Sequence, residues 1–288
     1  MKVGINLSIT NDGDCKAALI KQLNIFERVK FDNVEISPRC GIIKNGSLDK
    51  RECSKFLDIL SGYSFSYTIH APSKMNLASP LLLKISEKVM KSCIDLCVMV
   101  GSGVLVVHSG YITPADKMSE SEALRSLVDS LKKWGRYAHD SGVLIGVENG
   151  ELGFTHLRRE VDKLIDVVRN VNMDSVGVTF DAGHAFISAS YYKFNFLEAV
   201  RKVMPYTIHM HLHDNYGKFD PISPERKNLL FGYGDLHMPI GWGKIPYKEF
   251  FRLIRGRYKR ELYLLEINPI FKEYYGYAAE KLKEMLSS

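Results

Sequence analysis

A single closed (β/α)8 barrel is the fold this chain predicts, and three observations predict it. Short apolar runs of strand character alternate along the whole sequence with longer stretches of helical spacing. Eight such strand–helix units fit into 288 residues, close to the roughly 250 of a barrel of this kind. The first strand leads into Ser8-Ile9-Thr10-Asn11-Asp12-Gly13, without the G-x-G-x-x-G that an open doubly wound sheet usually carries there. Length alone would also admit two domains of about 150 residues each. No linker, low-complexity stretch or composition shift divides the chain, so residues 1–288 are read as one domain.

The strands fall at residues 2–7, 33–37, 65–70, 103–108, 143–149, 176–181, 206–212 and 261–267, each a short apolar run that a barrel core would bury. Between them, 81–100, 122–141 and 158–171 have helical spacing. In 122–141 the apolar residues Ala123, Leu124, Leu127, Val128, Leu131 and Trp134 recur at three- and four-residue steps. The connection 213–246 is unusually long and rich in Gly, Pro, Asp and aromatic residues, and such loops are usually functional. Phe219, Phe231, Tyr233 and Trp242 make it either a lid or a packed surface loop.

Hydrophobic residues at 45% and charged residues at 25% exclude a disordered chain, a collagen-like chain and a small disulfide scaffold. No apolar run approaches the ~18 residues of a membrane span. Met1-Lys2-Val3-Gly4-Ile5-Asn6 enters the first strand at once and leaves no room for a signal peptide, so a cytoplasmic protein is expected. Its five cysteines (Cys15, Cys40, Cys53, Cys93 and Cys97) form no C-x-x-C pair and are all expected as reduced thiols. A net charge of +6 permits an acidic partner without requiring one. The densest basic cluster, Arg252, Arg255, Arg257, Lys259 and Arg260, precedes the eighth strand. That places it at the N-terminal face of the barrel, where a solvated surface is the natural reading.

Active sites of such barrels lie at the C-terminal ends of the strands. Six consecutive strands end here in His, Asp or Glu: His70, His108, Glu148, Asp181, the His211 region and Glu266. His184 follows three residues after Asp181, and the long loop adds Asp235 and His237. Taken singly these are ordinary: His108 reads as a rim histidine, and Glu148 as a helix cap. Taken together they crowd one mouth, where unpaired carboxylates would repel. A divalent cation is the simplest way to hold Glu148, Asp181 and Glu266 ionised side by side. The O and N donors, with no cysteine among them, suit a catalytic site with open positions rather than a structural zinc. His139, at the end of a helical stretch, and His156, in a loop, carry no such reading. His209 is expected on the opposite side of its strand or mouth from His211. His213 stands near enough to be noted but is not counted in the site.

At these residues the sequence resembles the xylose isomerase-like barrel superfamily over essentially its whole length. The carrying segments are His70-Ala71-Pro72 with Asn76-Leu77-Ala78-Ser79, Val106-Val107-His108-Ser109-Gly110 and Gly146-Val147-Glu148-Asn149. Gly177-Val178-Thr179-Phe180-Asp181-Ala182-Gly183-His184 and His211-Leu212-His213-Asp214-Asn215 follow. Asp235-Leu236-His237, running into Gly241-Trp242-Gly243-Lys244-Ile245, and Leu265-Glu266 complete the set. It is specific for the superfamily and less so within it.

The resemblance implies one of two activities. In the sugar isomerase and epimerase branch one divalent ion is held at positions matching Glu148, Asp181, His211 and Glu266. The two glutamates exchange protons through an enediolate, and the His at the position of His184 steadies the substrate. An Arg often stands six residues after the metal His in that branch; Gly217 stands here, with Lys218 next. In the endonuclease IV branch nine ligands hold three zinc ions, and all nine positions are matched: His70, His108, Glu148, Asp181, His184, His211, Asp235, His237 and Glu266. That branch carries bulky residues after His-Ala-Pro that enter the DNA stack, whereas Ser73-Lys74-Met75 stands here.

The expectation is therefore a metal-dependent sugar or sugar-phosphate isomerase/epimerase. Glu148 and Glu266 are its acid/base pair, and the metal is held by Glu148, Asp181, His211 and Glu266. His70, His108, His184, Asp235 and His237 line the pocket or bind further metal. One ion of manganese, cobalt, magnesium or zinc is expected, rising to three zinc ions in the alternative, an abasic-site endonuclease. The partner is a small sugar or sugar phosphate, with DNA only under that alternative and no membrane; the family also admits a homo-oligomer.

Overall fold

The computed structural model describes residues 1–9, 14–152, 157, 160–220 and 228–287. Its elements run β1 (Lys2–Leu7), α1 (Cys15–Val29), β2 (Asn33–Ile36), β3 (Ile43–Lys44), β4 (Ser47–Leu48), α2 (Lys50–Leu60), β5 (Ser66–His70) and α3 (Leu83–Val100). There follow β6 (Val104–His108), α4 (Glu120–Asp140), β7 (Leu144–Glu148), α5 (Val161–Val171), β8 (Val176–Asp181), α6 (Ala182–Tyr192) and α7 (Phe196–Val203). The chain ends with β9 (Thr207–Leu212), α8 (Tyr247–Ile254), β10 (Leu262–Leu265) and α9 (Tyr275–Ser287).

Eight of the ten strands among the described residues form one closed parallel ring, in the order β1-β2-β5-β6-β7-β8-β9-β10. Pairing of β1 with β10, Lys2 opposite Leu262 and Ile5 opposite Leu265, shuts it. These are the eight strands expected, with ends within three residues of the expected ones. The simple repeat is broken by the β3–β4 hairpin, two residues a side, in the loop after β2, and by the two helices α6 and α7 between β8 and β9.

Local chemistry explains why the helices start where they do. Asp14 caps α1 by accepting from the Lys16 and Ala17 amides. Ser119 and Glu122 form a capping box on α4. Asp181 closes β8 and at once caps α6, its Oδ1 accepting from the His184 amide at 2.6 Å. Each helix turns an apolar stripe onto the barrel; in α1 it is Leu19, Leu23 and Phe26, all buried. Burying each such side chain contributes about 1.5–3 kcal/mol. The basic cluster from Arg252 to Arg260 lies exposed at the end of α8 and in the turn before β10, at the face away from the strand C-termini. No helix among the described residues is long and apolar enough to cross a membrane.

One expectation is overturned. Cys15 and Cys40 are joined in a disulfide with their Cα atoms 5.7 Å apart, so the five cysteines are not all thiols. They are 25 residues apart and share no motif. The barrel brings them together, because the start of α1 and the loop after β2 meet at the same mouth. Cys53, Cys93 and Cys97 are buried thiols. Protein denatured without reductant should therefore titrate three thiols per chain; a count of five would remove the disulfide.

Candidate metal centre

Parallel register brings the strand ends to one level. His108 is the cross-strand partner of Glu148, and Asp181 that of His211. An inner group forms from Glu148, Asp181, His211 and Glu266, whose ligand atoms all lie within 4.8 Å of one another. His211 Nδ1 is 3.1 Å from Glu148 Oε1, 3.1 Å from Glu266 Oε2 and 4.0 Å from Asp181 Oδ2. Glu148 is shared with a second group: its Oε2 is 3.3 Å from His70 Nε2 and 3.2 Å from His108 Nε2. A third group holds His184, His213, Asp235 and His237. The structure thus brings together all nine residues expected at the mouth.

The ring orientations are set by backbone carbonyls, which can only accept. His70 Nδ1 donates to its neighbour's carbonyl, Ala71 O, at 2.8 Å, which leaves Nε2 facing Glu148. His184 Nδ1 donates to Asn149 O and His237 Nδ1 to Glu266 O, each at 2.9 Å. Both therefore present Nε2 to Asp235, with His184 at 3.5 Å and His237 in direct contact. This is the arrangement by which proteins preset histidines as metal ligands. His237 also sits at φ 49, a left-handed conformation uncommon for a residue other than glycine. Strain of that kind concentrates at functional positions.

Burial disfavours charge throughout the group, yet opposite charges outweigh it. His211 and the other histidines nearby hold the carboxyls of Glu148 and Glu266 below the usual carboxylate range. Burial is likewise overcome at His70, raised to about 9 chiefly by Glu148. It is overcome at His211 by Glu35, Glu266 and Glu148, and at His184 by Asp181 and Asp235; both stand well above the usual imidazole value. Protonated histidines thus relieve part of the carboxylate repulsion that crowding implies. The stronger sign of a cation is geometric. Asp181 Oδ2 is buried without a hydrogen-bond partner, and Glu148 Oε2 and Glu266 Oε2 face only imidazole nitrogens, at 3.1–3.3 Å and short of a well-formed hydrogen bond. Such orphaned oxygens are costly unless a cation takes them. The donor set fits a divalent metal, whose entry would displace protons from the histidines.

Three residues were not read correctly from sequence. Glu35 of β2, 2% exposed, lies beneath the inner group, its Oε1 2.9 Å from His211 Nε2. Its Oε2 accepts from His209 Nε2 at 2.9 Å and from the Thr68 hydroxyl at 3.2 Å. Glu35 orients His211 so that Nδ1 faces the other carboxylates. His209 does not point away from His211: both are buried and both reach Glu35. Residues i and i+2 of a strand share a face, so the expectation of opposite sides fails on strand geometry itself. His213, two residues further, is fully buried in the third group. A Cβ added at Gly183 would overlap the His213 ring. Gly183→Ala should therefore expel the ring and lower stability by about 1–3 kcal/mol, read from the urea midpoint.

The remaining expectations divide. His139 is exposed at the end of α4, and His156 lies outside the described residues. Among the described residues of 213–246, Leu236, Met238 and Ile240 are buried and Asp214 pairs with Met238. The loop packs there and carries Asp235 and His237 to the site. Phe219 and Trp242 pack on Tyr191 and Tyr274, while Phe231 is 64% exposed. Lys218 donates to Phe231 O within the loop and does not replace the absent arginine. Ser73 and Lys74 are exposed and small or flexible, with no bulky wedge. A cavity of about 660 Å³ opens on the other side, lined by Glu35, His70, His108 and Glu266, with Arg39 and Lys74 on its wall.

Comparison with known proteins agrees with this architecture. Residues 24–285 match the family model described as xylose isomerase-like TIM barrel. An uncharacterised protein of Methanocaldococcus jannaschii is 26% identical over 253 residues, covering 87% of this chain and 86% of the relative. A probable endonuclease 4 of Aquifex aeolicus is 27% identical over 254 residues, covering 82% and 83%. Among solved structures, a D-tagatose 3-epimerase-like protein superposes with TM-score 0.78 at 25% identity, over 100% of this chain and 97% of that one. A D-psicose 3-epimerase of Clostridium cellulolyticum H10 superposes with TM-score 0.75 at 14% identity, over 99% of each, and shows the shared fold.

Proposed function

The chain belongs to the xylose isomerase-like TIM barrel family, and from that premise we propose that it is a divalent-metal-dependent isomerase or epimerase of a sugar or sugar phosphate. The observation that carries this reading is the placement of Glu148 and Glu266. They come from β7 and β10, three steps apart around the ring, and both lie 3.1 Å from one nitrogen of His211. Two carboxylates thus converge on a single point, as the removal and return of a proton at one carbon by two bases requires. Glu148, Asp181, His211 and Glu266 would hold the cation, which when bound supplies Lewis acidity to the substrate's carbonyl and hydroxyl oxygens. Glu148 takes the proton beside the carbonyl and Glu266 returns one to the enediolate, or the reverse. His70 and His108 line the cavity beside Glu266, where they would border the substrate, and His184 keeps the steadying role that the family resemblance implies. Arg39 and Lys74 on the cavity wall suit an anionic group such as a phosphate.

A second reading, an abasic-site endonuclease, is favoured by the two further ligand groups and by the Aquifex relative's name. The test is a screen of ketoses and their phosphates with manganese, cobalt and magnesium in heavy water. Deuterium entering the carbon beside the carbonyl, with formation of an epimer or aldose, supports the first reading. Nicking of an abasic duplex without any exchange into sugars replaces it with the second.

A further inference from the structure

We propose that the Cys15–Cys40 disulfide is a redox-controlled clasp on the cavity beside His70 and His108: oxidised, it holds one wall of that cavity in place, and reduced, it frees the wall and weakens binding there. What the cavity takes is the sugar of the reading above, on which this inference rests. The wall is the segment from Ser37 to Gly41, between the end of β2 and the β3–β4 hairpin, where Ser37, Arg39, Cys40 and Gly41 line the cavity. Both ends of the segment are secure. Ile36 is paired with Leu7 and Ile69 in the barrel. Ile42 is 1% exposed, and its carbonyl accepts from the Asp49 amide at 2.8 Å.

The middle of the segment is held differently. The Ile42 amide donates to Arg39 O at 3.1 Å. Among the described residues, however, no side-chain hydrogen bond or ion pair ties Ser37, Arg39 or Cys40 to the barrel. Cys40 and Gly41 sit at φ 60 and φ 71, two left-handed residues in succession. For cysteine that conformation is unfavourable and persists where the surroundings impose it. The bond to Cys15 is the constraint that does so. Its other end is rigid, because Cys15 is the first residue of α1, which Leu19, Leu23 and Phe26 seat in the core. The disulfide thus lends the fixity of a packed helix to a loop at the mouth.

Access also fits a switch. Cys15 and Cys40 are half-buried and Cys40 borders the cavity, whereas Cys53, Cys93 and Cys97 are buried. A small dithiol is the reductant this geometry admits. Its thiolate attacks one sulfur of the bond, and its second thiol then displaces the mixed disulfide. Two electrons and two protons pass to Cys15 and Cys40, and the dithiol closes into its own disulfide. Cys40 is then free to leave the left-handed region, and Arg39 and Ser37 move with it. A sugar must now re-order the wall in order to bind, which lowers its affinity. Glu148 and Glu266 belong to β7 and the end of β10, outside the freed segment, so the proton-transfer step is spared.

The experiment compares the oxidised full chain with chain reduced by dithiothreitol and freed of it by anaerobic gel filtration. Thiol titration of denatured samples should rise from three to five per chain. Amide hydrogen exchange read by mass spectrometry should accelerate by about tenfold or more in peptides covering 37–43 and stay unchanged in those covering β7. With the ketose or ketose phosphate that the screen identifies, KM should rise about 3–10-fold while kcat holds, and reoxidation should reverse both changes. Cys15→Ser should match reduced wild type and be indifferent to reductant; if it fails to fold, reduced wild type still provides the reading. Unchanged exchange in 37–43 after confirmed reduction overturns the proposal. So does faster exchange with an unchanged KM, or a KM that responds to reductant equally in Cys15→Ser. Faster exchange in a chain that turns over no sugar overturns the sugar reading and supports the clasp, so the two failures are distinguishable.

Discussion

Glu148→Gln, and separately Glu266→Gln, should lower turnover by about 10²–10⁴-fold while the chain still folds. The amide keeps the volume of the carboxyl and removes its charge and its capacity to take a proton. At Glu148 the loss reaches furthest, because that residue faces His70, His108 and His211 at once. His70 and His211, which Glu148 helps to hold protonated, respond by giving up protons, so no unpaired charge is left buried and the fold survives. Steady-state kinetics with saturating cation, beside circular dichroism and a thermal melt, separate lost chemistry from lost structure. Unchanged turnover in either variant would remove that glutamate from the proton-transfer role. His108→Gln distinguishes the two enzymatic readings: it should lower but not abolish solvent exchange into a sugar, and should disable a centre that needs the His70–His108–Glu148 group.

Glu35→Gln should weaken cation binding by about 10–100-fold, with a far smaller effect on folding. Glu35 borders the cavity but is not among the four residues proposed to hold the cation. It acts through His211, whose Nε2 it holds at 2.9 Å. Burial opposes its charge, and His211 and His209 overcome that and keep it ionised well below the usual range. With an amide in its place the imidazole loses its anionic anchor, is less basic toward a metal and turns more freely. Competition with a chromophoric chelator measures the change, and Glu35→Asp should restore part of it. Equal affinities in wild type and Glu35→Gln would reduce Glu35 to a packing residue.

Much of this was legible in the chain. The strands of a closed parallel barrel are buried on both faces, so they stand out as continuous apolar runs. The ligands stand out because each ends such a run. What escaped did so for identifiable reasons. Glu35 lies within Asn33-Val34-Glu35-Ile36, not at its end, so the strand-end criterion passed over it. A charge inside an otherwise buried strand was the available signal, since only a buried partner of opposite sign can accommodate it. His209, His211 and His213 repeat at two-residue spacing, and strand periodicity alone would have placed all three on the inner face. The β3–β4 hairpin has too few residues a side to show any alternation. The Cys15–Cys40 pair depends on the ring bringing two loops together, which no local pattern records.

The ring is sealed by its first and last strands, and Glu35 of β2 reaches His209 and His211 of β9 across that closure. Glu35 and His209 meet across 174 positions of sequence, and the N-terminal amino group meets Glu261 across 260. Contacts between such distant parts of a chain form late, because the entropy of closing a long loop must be met before they contribute. A nascent chain that has just completed β7 holds Glu148, His70 and His108 but neither His211 nor Glu266. No earlier assembly intermediate carries the full inner set. Capture of the proposed cation by the inner group would thus be a late step in biogenesis, following the assembly of all four of its ligands.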